Sequence, residues 1–203
     1  MAAHLAERSM FGGEHDGLAV AERHLDGVEA DLALARGKVL HARFLADRAE
    51  DQHELELFER AARLYRAAGD ARGEGAAWLW AGLFHQVVRG DEGAALPLLE
   101  RAGELGDSLT VSYALRHLAI ADHGAGRFDE ARGRFEESNR LRRELGFLPG
   151  VAANLVGLAY VAAAQGDREE GLAFADEAAR LAAGNDASVV ARMAEQARAE
   201  ISS

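Results

Sequence analysis

Eight histidines are the residues of this chain best suited to bind a metal ion or to transfer a proton. A metal site on one helix needs two ligands three or four residues apart, and no HExxH motif is present. His117 and His123 are six residues apart, which points them to different faces of a helix. A site assembled from His85, His117 and Asp122 stays open as an alternative, but we expect most of these histidines to be half-exposed at the surface. The eight are His4, His15, His24, His41, His53, His85, His117 and His123.

The other side chains that could perform catalysis lack the spacing it requires. Adjacent carboxylates at 136–137 and 169–170 could act as acid and base, but their arginine neighbours favour a solvated helix face. Ser108 and Ser112 are not in a GxSxG elbow, and the only lysine, Lys38, is not in a phosphate-binding loop. The chain has no cysteine to serve as a nucleophile or a ligand. The sequence therefore predicts a protein that is not an enzyme and that uses no cofactor or metal.

The composition favours an acidic helical protein. The 203 residues carry a net charge of −11, which argues against binding nucleic acid or an anionic membrane. There are 44 alanines and only 2 prolines, and alanine is the best helix former. No segment resembles a secretion signal or a membrane span, so the expected location is the cytoplasm.

Four segments of the chain share one layout, an apolar residue, an acidic residue and then a small residue. They are FERAARLYRAAGD (58–70), LERAGELGD (99–107), FEESNRLRRELGF (135–147) and ADEAARLAAGN (175–185). Their small residues, Ala61, Ala102, Ser138 and Ala178, recur every 36 to 41 residues along the chain. A fixed period of this length is typical of helical repeat proteins.

Apolar residues recur at helical spacing through most of the chain, and strand patterns are nearly absent. We expect ten or eleven helices, with glycines after several of them. The predicted helices are 2–11, 14–28, 31–48, 53–68, 72–89, 92–105, 108–125, 128–145, 149–165, 168–183 and 186–201. Pro97 falls inside one of them, so that helix should start late or kink.

The segments 115–138 and 155–178 resemble the tetratricopeptide repeat (TPR) family, in a divergent bacterial form with long repeats. Ala119 and Ala159 match the family's small residue of the first helix, Ala131 and Gly171 match that of the second, and Phe135 matches its apolar plug. The resemblance implies an all-α fold, a right-handed superhelix of antiparallel helix pairs. It also implies a single domain over 1–203, with repeats at 1–28, 29–70, 71–107, 108–147 and 148–185 and a capping helix at 186–203.

The resemblance further implies a ligand groove lined by the first helix of each pair. Trp78 and Trp80 are two residues apart and point about 200° apart, so one should lie in the core and the other in the groove. Each aromatic residue could instead pack between repeats. Carried over by register, the groove residues are Arg36, Arg43, Trp80, Phe84, Tyr113, Arg116, His117, Ile120, His123, Val156 and Tyr160.

These features favour a non-catalytic module that binds a protein or peptide partner, with a regulatory or signalling role as one reading. A small-molecule sensor or an unusual enzyme that uses the aromatic, arginine and histidine side chains is the alternative. Self-association through an uncapped repeat end is a third possibility, which would make the chain a homo-oligomer.

Overall fold

Helices form almost all of the structure, a computed structural model that describes residues 1–12 and 15–203. This part of the chain is 87% helical, with ten α-helices and no strand. The helices are α1 (Ala2–Gly12), α2 (Leu18–Asp47), α3 (His53–Ala68), α4 (Ala71–Leu83), α5 (Glu92–Leu105), α6 (Ser108–Gly124), α7 (Phe128–Glu144), α8 (Leu148–Ala164), α9 (Arg168–Ala183) and α10 (Ser188–Ser202). The all-α prediction is confirmed, and the superhelix stays a prediction.

Helix α2 differs most from the sequence-based expectation. The helices predicted at 14–28 and 31–48 form one continuous helix, Leu18–Asp47, and the predicted start at residue 14 lies outside the described residues. Gly27 is the residue near the predicted break that weakens a helix most, and a single glycine costs about 1 kcal/mol. Ala30, Ala33 and Leu34 are all buried there, so packing holds the helix through this point.

The helix predicted at 72–89 is divided. Helix α4 ends at Leu83, and a π-helical turn follows over Phe84–Val88. The next helix, α5, begins at Glu92, as predicted. The Asp91 side chain caps it by accepting a hydrogen bond from the Ala94 N–H at 3.0 Å. Pro97 lies inside α5, so one internal hydrogen bond of that helix is missing.

The described chain separates into two compact units, Met1–Asp107 and Ser108–Ser203. In the first unit, α2 packs on α3, α3 on α4 and α4 on α5. Phe58 lies at the centre of its core, completely buried, against the backbone of Gly37. A side-chain carbon at position 37 would overlap the Phe58 ring, so glycine lets α2 and α3 approach closely.

The second unit is built in the same way from α6 to α10. Consecutive helices pack on each other, and α10 also contacts α8. The buried ring of Phe135 on α7 lies against Gly157 of α8, where a side-chain carbon would overlap it. This close approach fixes the distance between α7 and α8.

The four small residues that define the repeat are completely buried. Ala61, Ala102, Ser138 and Ala178 each have an exposed fraction of 0%. They lie on α3, α5, α7 and α9, the second helix of each consecutive pair. The burial is compatible with a helical repeat.

Two glycine-to-alanine substitutions test the role of the close approach. Alanine at Gly157 would overlap the Phe135 ring, and we expect Gly157→Ala to lower the free energy of unfolding by about 1–3 kcal/mol. Gly133 on α7 has open space beside it, so Gly133→Ala should raise that free energy by about 0.5–1 kcal/mol. Urea denaturation measures both, and equal effects of the two variants would contradict the packing role of Gly157.

Candidate functional site

One face of helix α6 forms a wall of an apolar pocket in the second unit. Arg116, Ile120 and His123 follow each other at i, i+4 and i+7, which places them on one side of a helix. All three are among the residues that the sequence predicted for the groove. The pocket has a volume of about 220 Å³.

Three other helices complete the pocket. Helix α8 contributes Val156, Gly157 and Tyr160, while Phe135 comes from α7 and Met193 from α10. The sequence predicted Val156 and Tyr160 but not Met193, because α10 was assigned only as an exposed cap. The Tyr160 hydroxyl donates to Glu200 on α10 at 2.7 Å, and burial together with this bond raises the pKa of Tyr160 to about 12. Tyr160 is therefore a neutral donor at neutral pH.

Arg116 lines this pocket, whose surface is almost entirely apolar, and directs its guanidinium group to α8. Its Nη1 donates to the Ala153 carbonyl at 2.7 Å and to Asn154 Oδ1 at 3.2 Å, both on α8. Burial lowers the pKa of Arg116 to about 10, so the guanidinium stays charged at neutral pH. No carboxylate of the described residues contributes to that pKa. A cation whose charge no carboxylate neutralises within the unit thus lies beside the pocket.

A second arginine, Arg142 on α7, is buried beside the first and was missed by the sequence analysis. Its exposed fraction is 1%. Its Nη1 donates to the Gly150 carbonyl at 2.6 Å and to Asn154 Oδ1 at 3.0 Å, while its Nη2 has no partner among the described residues. Burial, and then repulsion from Arg116, lowers the pKa of Arg142 to about 10. Two like charges therefore share one neutral acceptor, Asn154.

The hydrogen-bond network around Asn154 explains how two cations are held together. Asn154 Nδ2 donates to Ser138 Oγ at 2.8 Å, and Ser138 donates to the Ser112 carbonyl at 2.6 Å. The rings of Tyr113 and Phe147 lie 4.8 and 5.6 Å from the Arg142 guanidinium carbon. Aromatic faces attract such a cation without neutralising it.

Tyr113 and His117 lie outside the pocket lining, although both were predicted groove residues. Tyr113 is half-buried and contacts Arg142 and Phe147 instead. His117 is half-buried as well. Of the groove residues predicted in the second unit, five line the pocket: Arg116, Ile120, His123, Val156 and Tyr160.

The groove residues predicted in the first unit do not form one site. Phe84 is completely buried, so the expectation that it faces a ligand is not met; the π-helical turn directs its ring into the core. Trp80 is half-buried, stacked on Phe58 with 6.0 Å between ring centroids and at 5.3 Å from the His41 ring. Arg36 and Arg43 are exposed and line a separate, shallow depression on α2.

The two tryptophans are both half-buried at the edge of the same core, so neither is the fully buried core residue that one of them was expected to be. Trp78 Nε1 donates to Glu74 at 3.1 Å, and Glu74 also accepts from Arg66. The Arg66 hydrogen bond is the main reason why the pKa of Glu74 is lowered. Trp78 is thus held by a polar edge contact, and Trp80 by ring stacking.

Several carboxylates considered for a metal site or for acid–base catalysis are paired with arginines in the structure. Asp122 is bound by Arg127 at 2.6 Å and by Arg134 at 2.6 Å, so arginines occupy the carboxylate proposed for a metal site. No group of three or more metal-ligating side chains occurs within residues 1–12 and 15–203. Of the carboxylates at 136–137 and 169–170, Glu137 pairs with Arg140 and Glu170 with Arg132.

A buried histidine–glutamate pair in the first unit was also missed. His41 Nδ1 lies 2.7 Å from Glu54 Oε1, and burial raises the pKa of Glu54. The exposed fractions of His41 and Glu54 are 4% and 0%. The pair is enclosed and joins α2 to α3 as a structural contact.

No protein-family model matches the chain, and no curated protein is similar to it in sequence. Within the described residues, no helix is long and apolar enough to span a membrane. The fold and the pocket therefore carry the functional inference.

A carboxylate placed between the two arginines tests whether their charges are uncompensated. In the variant Asn154→Asp, two adjacent guanidinium groups should depress the pKa of the new carboxyl below its unfolded value of about 3.9. A depressed pKa adds stability above the unfolded pKa, and this stability is lost as the pH falls. From pH 3 to pH 6, the free energy of unfolding should rise by about 1 kcal/mol more in the variant than in wild type.

Urea denaturation at the two pH values measures this difference. The control is Asn154→Asp combined with Arg142→Met, where we expect a smaller rise because one cation is gone. An equal rise in wild type, Asn154→Asp and the double variant would contradict the presence of unneutralised charge at this position.

Proposed function

We propose that this chain is a non-catalytic, TPR-like interaction module that binds a protein or peptide partner through the pocket of the second unit. One observation carries the proposal. Arg116, Ile120, His123 and Tyr160, selected as groove residues from the sequence, line one apolar pocket. The side chains that seal it come from the neighbouring α7 and the last helix, α10.

The size of the pocket supports a peptide anchor as its occupant. Pockets for drug-sized ligands have volumes of about 300–1,000 Å³, whereas this one holds about 220 Å³. That volume suits one large apolar side chain of a partner. Ile120 and Met193, with exposed fractions of 37% and 36%, provide apolar surface beside it for the rest of the partner.

The charge beside the pocket supports a partner that is acidic next to its apolar anchor. Arg116 is charged and lacks a carboxylate partner in its unit. An acidic side chain of the bound protein or peptide would provide the missing carboxylate. It would do so in a half-buried place, where a charge-assisted hydrogen bond is stronger than in water. The net charge of −11 argues against nucleic acid as the partner.

A matched pair of substitutions on α6 tests the proposal. Ile120→Glu introduces a carboxylate at the pocket beside Arg116 and should abolish partner binding. Leu109→Glu, at a position 43% exposed on the same helix and outside the pocket lining, should leave it intact. Both positions are exposed, so both variants should keep the helical circular dichroism spectrum of wild type.

The measurement is selection of peptides from a displayed random library on the folded chain, followed by calorimetric titration of the selected peptides. We expect peptides with one large apolar residue beside an acidic residue, bound by wild type and Leu109→Glu but not by Ile120→Glu. Equal binding by all three proteins would refute the pocket as the site. A small molecule that co-purifies with wild type but not with Ile120→Glu, with no peptide selected, would favour the sensor alternative.

A further inference from the structure

Helix α2 exposes an apolar stripe with a period of seven residues. Leu18, Leu25, Leu32 and Val39 are each seven residues apart, with exposed fractions of 37%, 58%, 49% and 52%. Three residues after the last three of these lie Val28, Ala35 and Ala42, all exposed as well. Apolar residues that alternate at spacings of three and four are typical of a helix that packs on another helix in a coiled coil.

The stripe lies on the side of α2 opposite its own core. The face of α2 that packs on α3 includes Ala30, Ala33, Gly37, His41 and Phe44, all buried. At 100° per residue, the stripe from Leu25 to Ala42 lies about half a turn away from that face. Before this segment, Ala21 on the side of the stripe is buried, and α1 packs on α2. The core of the first unit therefore does not account for the stripe, whose residues leave apolar surface in water.

Charged residues flank the stripe, and their order along α2 is self-complementary. On one flank, Glu22, Glu29, Arg36 and Arg43 are also seven residues apart, acidic in the first half of the helix and basic in the second. On the other flank, Asp31 precedes Lys38 by seven residues, and the Lys38 ammonium lies over the Trp80 ring of its own unit, 5.3 Å from the ring centroid. Two copies that run in opposite directions would bring each acidic half against a basic half. Parallel copies would bring Asp31 of one against Arg36 of the other but also Lys38 against Arg43, so that attraction and repulsion would offset each other.

We propose that α2 of one chain pairs with α2 of a second copy in an antiparallel coiled coil. The two-fold axis passes level with residues 33 and 34. Leu25 then packs on Ala42 of the second copy and Leu32 on Ala35, while Glu29 faces Arg36 of the second copy. The paired segment, 25–42, is about 27 Å long at 1.5 Å per residue.

The structure also favours this association energetically. A short coiled coil is marginal when its helices must first fold. Here α2 is already helical through its contacts with α3, so pairing does not carry that cost. Ala35 and Ala42 are small, which lets the two helix axes approach closely. Glu29 and Asp31 also contact Arg60 and Tyr65 of α3, and these contacts hold the flanking side chains in place.

The first experiment measures the mass of the full chain by sedimentation equilibrium over a range of concentrations. We expect wild type to approach twice 21.7 kDa as the concentration rises. Val39→Glu should remain a monomer, because it brings a charge into the paired face. Val189→Glu, at a similarly exposed position on α10, should still dimerise. Circular dichroism melting verifies that both variants are folded.

The second experiment determines the direction of pairing and uses the absence of cysteine from the sequence. Chains with the single substitution Leu25→Cys are mixed with chains that carry Ala42→Cys and then oxidised mildly. Antiparallel pairing predicts disulfides mainly between the two different chains. Oxidation of either variant alone should leave it largely uncross-linked, since the two equal positions are far apart along the pair.

Three results would overturn the proposal. The first is a wild-type monomer at all concentrations. The second is a dimer that Val39→Glu does not dissociate, because its interface then lies elsewhere. The third is efficient disulfide formation by Leu25→Cys alone, which requires parallel pairing.

Discussion

The close approach of helices at small buried residues is the constraint on which the rest of this structure depends. Alanine at 61, 102 and 178 and serine at 138 let neighbouring helices come together, and glycine at 37 and 157 admits an aromatic ring against the backbone. Small residues contribute little apolar area, so one helix pair cannot bury a sufficient core by itself. Within each unit, a pair is therefore completed by the next helix: α4 packs on α3 in the first unit, while α8 packs on α7 and α10 on α9 in the second.

Local sequence determined much of the fold, because helix propensity, spacing and turn residues act over a few positions. The second helices of the pairs begin and end close to the predicted residues, from α3 at His53–Ala68 to α9 at Arg168–Ala183. The structure differs from the prediction where contacts between residues far apart in the sequence determine the local conformation. Because Ala30 and Leu34 are buried by packing, α2 continues through its expected break. The π-helical turn after α4 directs Phe84 into the core.

The candidate site was predictable to the same extent. Arg116, Ile120 and His123 share a face of α6, and helical spacing alone could bring them together. Met193 could not be found in this way, since it lies 70 or more residues later in the chain than these three residues. Arg142 was equally hidden, because an arginine among charged neighbours on a helix is usually at the surface. Only the packing of α6, α7 and α8 shows that it is buried.

Charge is distributed differently beside the pocket of the second unit and along the exposed stripe of α2. With 34 acidic and 23 basic residues, the chain has more carboxylates than basic groups. Most arginines that form polar contacts in the structure pair with a carboxylate. Arg116 and Arg142 are bound by neutral oxygens instead, in a place where an unneutralised charge is costly. A charge kept in that state favours an acidic ligand from outside. On α2, by contrast, acid and base are both present and are separated along one helix, which favours a partner with the same sequence in the opposite direction.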